Sequence, residues 1–215
     1  MDRRLYRYIR GIIIKGLFFY DIFNPLVQEF NIRTWGLRGK PYPSPQKLKQ
    51  RTVICYARRF GIETLVETGT YLGGMVSAVR KAFKQIYSIE LAYDLHERAR
   101  RKFGGYQNVT LIFGDSGEML PLLLDRLDQP CLFWLDAHYS GSITIKGEID
   151  TPIEKELAAI LSHHIRHHVI LIDDAHDFNG TNFYPKLGDL KAYLLAKRPE
   201  WVFEIKEDII RFHPE

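Results

Sequence analysis

This 215-residue chain has only two cysteines and no uninterrupted apolar run of the roughly 20 residues needed to cross a bilayer. Cys55 and Cys131 lie 76 residues apart inside apolar segments, which excludes a disulfide framework and suits reduced thiols in a core. A cytoplasmic location is the default expectation. The longest apolar stretch, Gly11 to Phe23, is interrupted by Lys15 and Asp21 and is followed by no small-residue cleavage site. That excludes a signal peptide and leaves an interfacial or docking helix. Internal repeats, low-complexity tracts and nucleic-acid-binding motifs are missing too, so no nucleic-acid partner is expected. The run His163-His164-Ile-Arg-His167-His168 lacks the Cys or acidic partners of a zinc site, and its histidines are expected to be structural or superficial.

What is present is unevenly distributed. Residues 1–60 hold 13 Lys and Arg against 3 Asp and Glu, leaving 17 against 23 in the remainder. The basic first quarter reads as a helical extension, with residues 1–30 amphipathic and Asn31 to Pro45 irregular because Gly36, Gly39, Pro41, Pro43 and Pro45 crowd it. Its charge suits a solvated helical face, an anionic membrane surface, an acidic partner or an acidic substrate. The expected organisation is an extension over 1–60 and one domain over 61–215, with a homo-oligomer compatible with either.

From residue 61 the chain repeats one grammar. Thr64-Leu-Val-Glu67-Thr-Gly69-Thr-Tyr71-Leu-Gly73-Gly74 reads as a strand, a glycine turn and a helix, and Tyr87-Ser-Ile-Glu90 as a second strand ending in an acid. Such a turn lets backbone N–H groups approach a ligand, and an acid about 20 residues on can accept from a ribose diol. An adenosine-containing cofactor is implied. The grammar recurs at Val109 to Asp115, Cys131 to Asp136 and Val169 to Asp173-Asp174, setting five strand-end acids along one edge of a parallel sheet. Helices are predicted over 45–60, 73–84, 92–103, 117–127, 152–164 and 186–197, with Thr151-Pro-Ile-Glu154 as a capping box. The chain closes with Glu200 to Lys206 and Ile209 to His213, too close in sequence to pair except as an antiparallel hairpin.

Five parallel strands and a closing hairpin resemble the class I S-adenosylmethionine-dependent methyltransferases. The resemblance implies a three-layer Rossmann-like α/β sandwich, with a mostly parallel seven-stranded sheet and a C-terminal antiparallel hairpin. It implies S-adenosylmethionine as cofactor and methylation, by preference O-methylation, of a small-molecule acceptor. Glu67, Gly69 and Gly73 match the family's acidic and glycine-rich turn, while Tyr71 stands where the middle glycine belongs. Glu90 matches the ribose-binding acid, and Asp115 with the following Ser116 the adenine-contacting position, where Asp115 also suits a helix N-cap.

Asp136 falls where such enzymes place the reacting methyl, followed by a polar, glycine-punctuated loop from Ala137 to Asp150. Asp136, Asp173 and Asp174 resemble the Mg²⁺ ligands of some O-methyltransferases of this fold. A turn cap and a substrate contact are the alternative for the pair. His138 is the preferred base and His176 the second candidate. Two other classes stay open: a non-catalytic regulatory nucleotide-binding module docking an acidic partner, and a metal-dependent hydrolase on the same scaffold.

Overall fold

A computed structural model describes residues 29–136 and 151–215. All but the last two residues of the leader helix expected over 1–30, and the loop carrying His138, lie outside the described residues. Contacts divide the chain into two compact units, 1–48 and 49–215.

In the first unit, residues 29–37 are helical, where an irregular segment was expected from Asn31 onward. Gly36 sits too near the helix end to break it. The helix stops instead at Gly39 and Lys40, with φ of 79° and 59°, where the Lys40 N–H bonds the Trp35 carbonyl. This is the left-handed exit that helices use to satisfy their last carbonyls. Trp35 Nε1 donates to the Pro41 carbonyl at 2.7 Å.

The second unit is the predicted alternation. Its elements are α1 (Gln46–Phe60), β1 (Thr64–Thr68), α2 (Gly74–Val79), β2 (Gln85–Glu90), α3 (Tyr93–Phe103), β3 (Val109–Phe113) and α4 (Ser116–Leu124). Then follow β4 (Leu132–Leu135), α5 (Ile153–Ser162), β5 (Val169–Ile172), a 3₁₀ turn (Ala175–Asp177), α6 (Leu187–Lys197), β6 (Val202–Lys206) and β7 (Ile209–His213). The first three residues of α1 fall before the unit boundary. The helix expected over 73–84 is only α2, because the chain leaves it in a tight turn, with the Ala82 N–H bonding the Val79 carbonyl.

The seven strands lie in the order β3-β2-β1-β4-β5-β7-β6. Strands β1 to β5 are mutually parallel, and β7 inserts antiparallel between β5 and β6. Chain order reverses across β1 and β4, which makes their carboxyl ends the crevice where open α/β sheets take ligands.

Strand periodicity sorts side chains into two cores. Leu65, Leu132, Trp134, Val169 and Leu171 pack on one face with Val53, Tyr56, Val76 and Phe103 from α1, α2 and α3. Val66, Phe133, Leu135, Ile170 and Ile172 pack on the other with Leu120, Leu157, Ile160 and Leu194 from α4, α5 and α6. The result is the expected three-layer sandwich. β1, β4, β5 and β7 are buried along their whole length, as strands covered on both faces must be, which explains the unbroken apolar sequence of β4 and β5.

Two further features fix the sheet. Glu207 and Asp208, with φ of 58° and 62°, make the two-residue turn joining β6 to β7, whose handedness suits the sheet twist. The histidine run is structural as expected at its buried members. The Cys131 N–H donates to His168 Nδ1 at 3.0 Å, so that nitrogen carries no proton. His168 Nε2 then donates to His163 Nδ1 at 2.8 Å, and His163 Nε2 to the Leu124 carbonyl at 3.0 Å. Both rings are therefore neutral, and burial pushes His168 down to about 3. Of the two thiols, Cys131 is buried and Cys55 is exposed, the latter against expectation. Among the described residues no helix is long and apolar enough to cross a membrane.

Candidate active site

The site is the carboxyl edge of the sheet, and it has two halves. At the β1–β2 half, Glu67 ends β1 with 2% of its surface exposed. Burial pushes its carboxyl up to about 8, opposed by a hydrogen bond from Ser88 and reinforced by the charge of Glu90. Thr70 Oγ1 meets the same Ser88 hydroxyl at 2.6 Å, so Glu67, Ser88 and Thr70 form one buried chain, and it is burial, against the Ser88 hydrogen bond, that holds the proton on Glu67.

The turn after β1 is left-handed at Gly69, Tyr71 and Gly73, with φ of 85°, 49° and 68°. Tyr71 thus adopts the backbone that a glycine would supply, at roughly 1–2 kcal/mol. Its N–H donates to Glu90 Oε2 at 2.7 Å, and the Ala92 N–H donates to Glu90 Oε1 at 2.9 Å. One carboxylate therefore ties the turn to the start of α3. Each oxygen keeps a second lone pair for a ligand hydroxyl. Gly73 has no alternative residue: a Cβ there would lie 2.4 Å from Phe103 Cε2. Farther along the edge Asp115 caps α4, accepting from the Gly117 N–H at 2.8 Å, with Ser116 buried behind it.

At the β4–β5 half, Asp136 follows β4 and Asp173-Asp174 follow β5. Asp174 takes a left-handed backbone, φ 49°. Ligand atoms of Asp136, Asp173 and Asp174 lie within 4.8 Å of one another, and those of Asp174, His176 and Asp208 form a second such group. Asp174 links the two. His176 Nδ1 is 2.8 Å from Asp208 Oδ2, and the His176 N–H donates to Asp208 Oδ1 at 3.0 Å. With Asp208 accepting, Nδ1 carries a proton, and Nε2 lies 3.5 Å from Asp177 Oδ1. His138, the other candidate base, lies outside the described residues.

The residue that sequence reasoning missed is Lys49 of α1. Its ammonium lies 2.5 Å from Asp173 Oδ2 and 3.1 Å from Asp174 Oδ1, and its side chain is 4% exposed. Burial alone would lower its pKa; Asp173 and Asp174 overcome that and raise it. Among the described residues Lys49 is the cation that faces this acidic group, and Asp136, pressed by burial and by Asp173, is held well above the usual carboxylate range. The charge that the acidic pair needs is supplied by the chain itself. With the Lys49 ammonium on both aspartates, Asp136, Asp173 and Asp174 do not fit a divalent cation.

A small cleft opens beside this cluster. Asp136, Asp173, Glu156, Thr151 and Tyr184 supply its polar groups, and Leu135 and Phe178 are among its apolar walls. Among the described residues, Asp173 Oδ1 and Glu156 Oε1 are buried there with no hydrogen-bond partner. Burial pushes Glu156 up to about 7, opposed by the neighbouring Ser116 and Thr68 hydroxyls. Thr151 Oγ1 accepts from the Ile153 N–H at 3.3 Å, not from the Glu154 amide that the expected capping box would use, and Pro152 takes the N-cap position of α5.

The sheet order, the closing hairpin and the acid-ended strands define the fold of the class I S-adenosylmethionine-dependent methyltransferases. Solved structures agree. The chain is similar to the O-methyltransferase TomG from Streptomyces achromogenes, crystallised with SAM, at 15% identity and a TM-score of 0.57, covering 87% of this chain and 89% of that one. It is similar to an O-methyltransferase from Bacillus cereus in complex with SAH, at 12% identity and a TM-score of 0.58, covering 86% and 90%. A putative caffeoyl-CoA O-methyltransferase from Staphylococcus aureus matches at 12% identity and a TM-score of 0.56, covering 93% and 99%. No protein-family model matches this sequence, and no curated protein does.

Proposed function

We propose that this protein binds S-adenosylmethionine at the β1–β2 half of the edge and transfers its methyl group to a hydroxyl of a small acceptor at the β4–β5 half. The observation that carries this reading is Glu90, a buried carboxylate at the second strand end, fixed by two backbone amides beside a left-handed turn. That is the arrangement a ribose diol requires. Asp115 and Ser116 would face the adenine, and Glu67, Gly69, Tyr71, Gly73 and Asp136 the methionine end. The structural neighbours named as O-methyltransferases, two of them holding SAM or SAH, support the same cofactor and the choice of oxygen.

In the transfer, the acceptor oxygen attacks the methyl carbon in line with the carbon–sulfur bond. That bond breaks with its electron pair on sulfur, leaving a neutral thioether, and the hydroxyl proton passes to a base. His176, oriented by Asp208, and His138 are the two candidates, and single substitutions separate them. No step requires Mg²⁺, and the hydrolase alternative, which does, loses its support at Lys49. Residues 1–60 are assigned as an extension to the domain over 61–215; a truncation starting at Pro45 retains Lys49 and tests whether the leader serves acceptor recognition alone.

Calorimetry with S-adenosylmethionine and S-adenosylhomocysteine is the test. Binding to the wild-type protein is expected, weakened at least about 100-fold in Glu90→Ala, or about 2.7 kcal/mol. Absence of binding at millimolar ligand removes the reading; unchanged binding in Glu90→Ala removes the ribose assignment.

A further inference from the structure

We propose that the Lys49 ammonium does the work of a divalent cation at the β4–β5 edge, and that it turns Asp173 Oδ1 toward the cleft as the atom that receives the acceptor's O–H or N–H. Three observations carry this. Lys49 Nζ holds Asp173 Oδ2 and Asp174 Oδ1 at 2.5 and 3.1 Å, two of the oxygens a metal would need. The other oxygen of Asp173 is buried and finds no partner among the described residues, although its residue lines the cleft. A buried acceptor atom left unmade is costly, so a ligand donor placed there gains its full hydrogen bond. The third is that Glu156 Oε1 lines the same cleft, equally unpartnered.

Two orphan carboxylate oxygens, with Tyr184 and Thr151 beside them, set the chemical class of the acceptor. It presents hydrogen-bond donors, as a polyol, phenol or amine does, and is uncharged or cationic at the reacting end. A carboxylate or phosphate at that end would meet Asp136, Asp173 and Asp174 at close range. Lys49 is spent on its two aspartates and is no receptor for an anion.

The role given to Lys49 rests on the methyltransferase reading, but its test does not. The probe is Mn²⁺ alone, titrated into the full chain and followed by electron paramagnetic resonance and calorimetry. The wild-type protein is expected to take up no Mn²⁺ at the edge at millimolar ion. Lys49→Met, which keeps the bulk and removes the charge, should bind one Mn²⁺ more than tenfold tighter, a gain of over about 1.4 kcal/mol, and Asp173→Asn in that background should abolish it.

One Mn²⁺ bound by the wild-type protein and lost in Asp173→Asn overturns the proposal. A folded Lys49→Met that binds no better than wild type overturns it equally. Lys49→Gln, polar but uncharged, serves if the methionine variant does not fold, and the wild-type titration needs no variant. Calorimetry with S-adenosylhomocysteine on the same proteins keeps the two readings apart: its failure sinks the cofactor assignment, whereas Mn²⁺ uptake through Asp173 sinks this one.

Discussion

The two halves of the sheet edge solve the problem of buried acids in opposite ways. At the β1–β2 end the carboxylates are satisfied locally: Glu90 by the amides of Tyr71 and Ala92, Glu67 by Ser88 and by keeping its proton. At the β4–β5 end satisfaction is remote and incomplete. Asp173 depends on a lysine 124 residues away, and one of its oxygens finds no partner among the described residues. The first half is preformed for a ligand whose shape does not vary. The second leans on Lys49 among the described residues, and under the proposed function its open oxygens would meet the acceptor's donors.

That contrast can be broken by mutation. Removing the charge from Lys49 should cost most, because one partner of a buried ion pair leaves the other uncompensated. Lys49→Met is expected to lose about 3–5 kcal/mol in denaturant melts, while leaving the affinity for S-adenosylhomocysteine within a few-fold. A loss below about 1 kcal/mol would mean that the aspartates are neutralised some other way.

On the opposite half, Gly73→Ala should cost about 2–3 kcal/mol, from a left-handed backbone and a methyl group driven against the Phe103 ring. Here cofactor binding should fall together with stability. A Tm equal to wild type would show that the turn is not packed against α3 as described.

The protonation of Glu67 gives a smaller, pH-dependent effect. Its carboxyl ionises near 4.5 when exposed and near about 8 in the folded protein. The folded state therefore holds the extra proton between those values. The contribution is complete below about pH 4.5 and is lost as pH rises through 8. Glu67→Gln, which mimics the protonated acid, should gain on wild type by about 2–3 kcal/mol between pH 5 and 7. Chemical denaturation of both proteins at several pH values reads this difference directly. Comparing them cancels the contributions of Glu156 and of His168, whose own titration acts in the opposite direction. A constant difference would place Glu67 in water.

How much was legible in the sequence follows the same division. Glu67 and Glu90 announce themselves because strand, turn and acid are local in the chain and spaced by the geometry of one βαβ unit. The five strand-end acids and the closing hairpin follow from periodicity, and with them the sheet. Tyr71 looked like a defect in the turn. It keeps the glycine conformation because the Glu90 carboxylate holds its N–H. Lys49 and Asp208 were invisible, since each acts on residues brought to it only by the tertiary fold. A signal for Lys49 did exist: it shares a face of α1 with Thr52, Val53 and Tyr56, and a lysine on the buried stripe of a helix calls for a buried acid. The continuation of helix through residue 37 was missed for a plainer reason, that a helix tolerates glycine in its last turn.

Titration of the wild-type protein with S-adenosylhomocysteine, alongside Glu90→Ala, tests the central claim most directly. Saturable binding that collapses in the variant is the predicted result. A wild-type protein that takes up no S-adenosylhomocysteine at millimolar concentration would contradict the account.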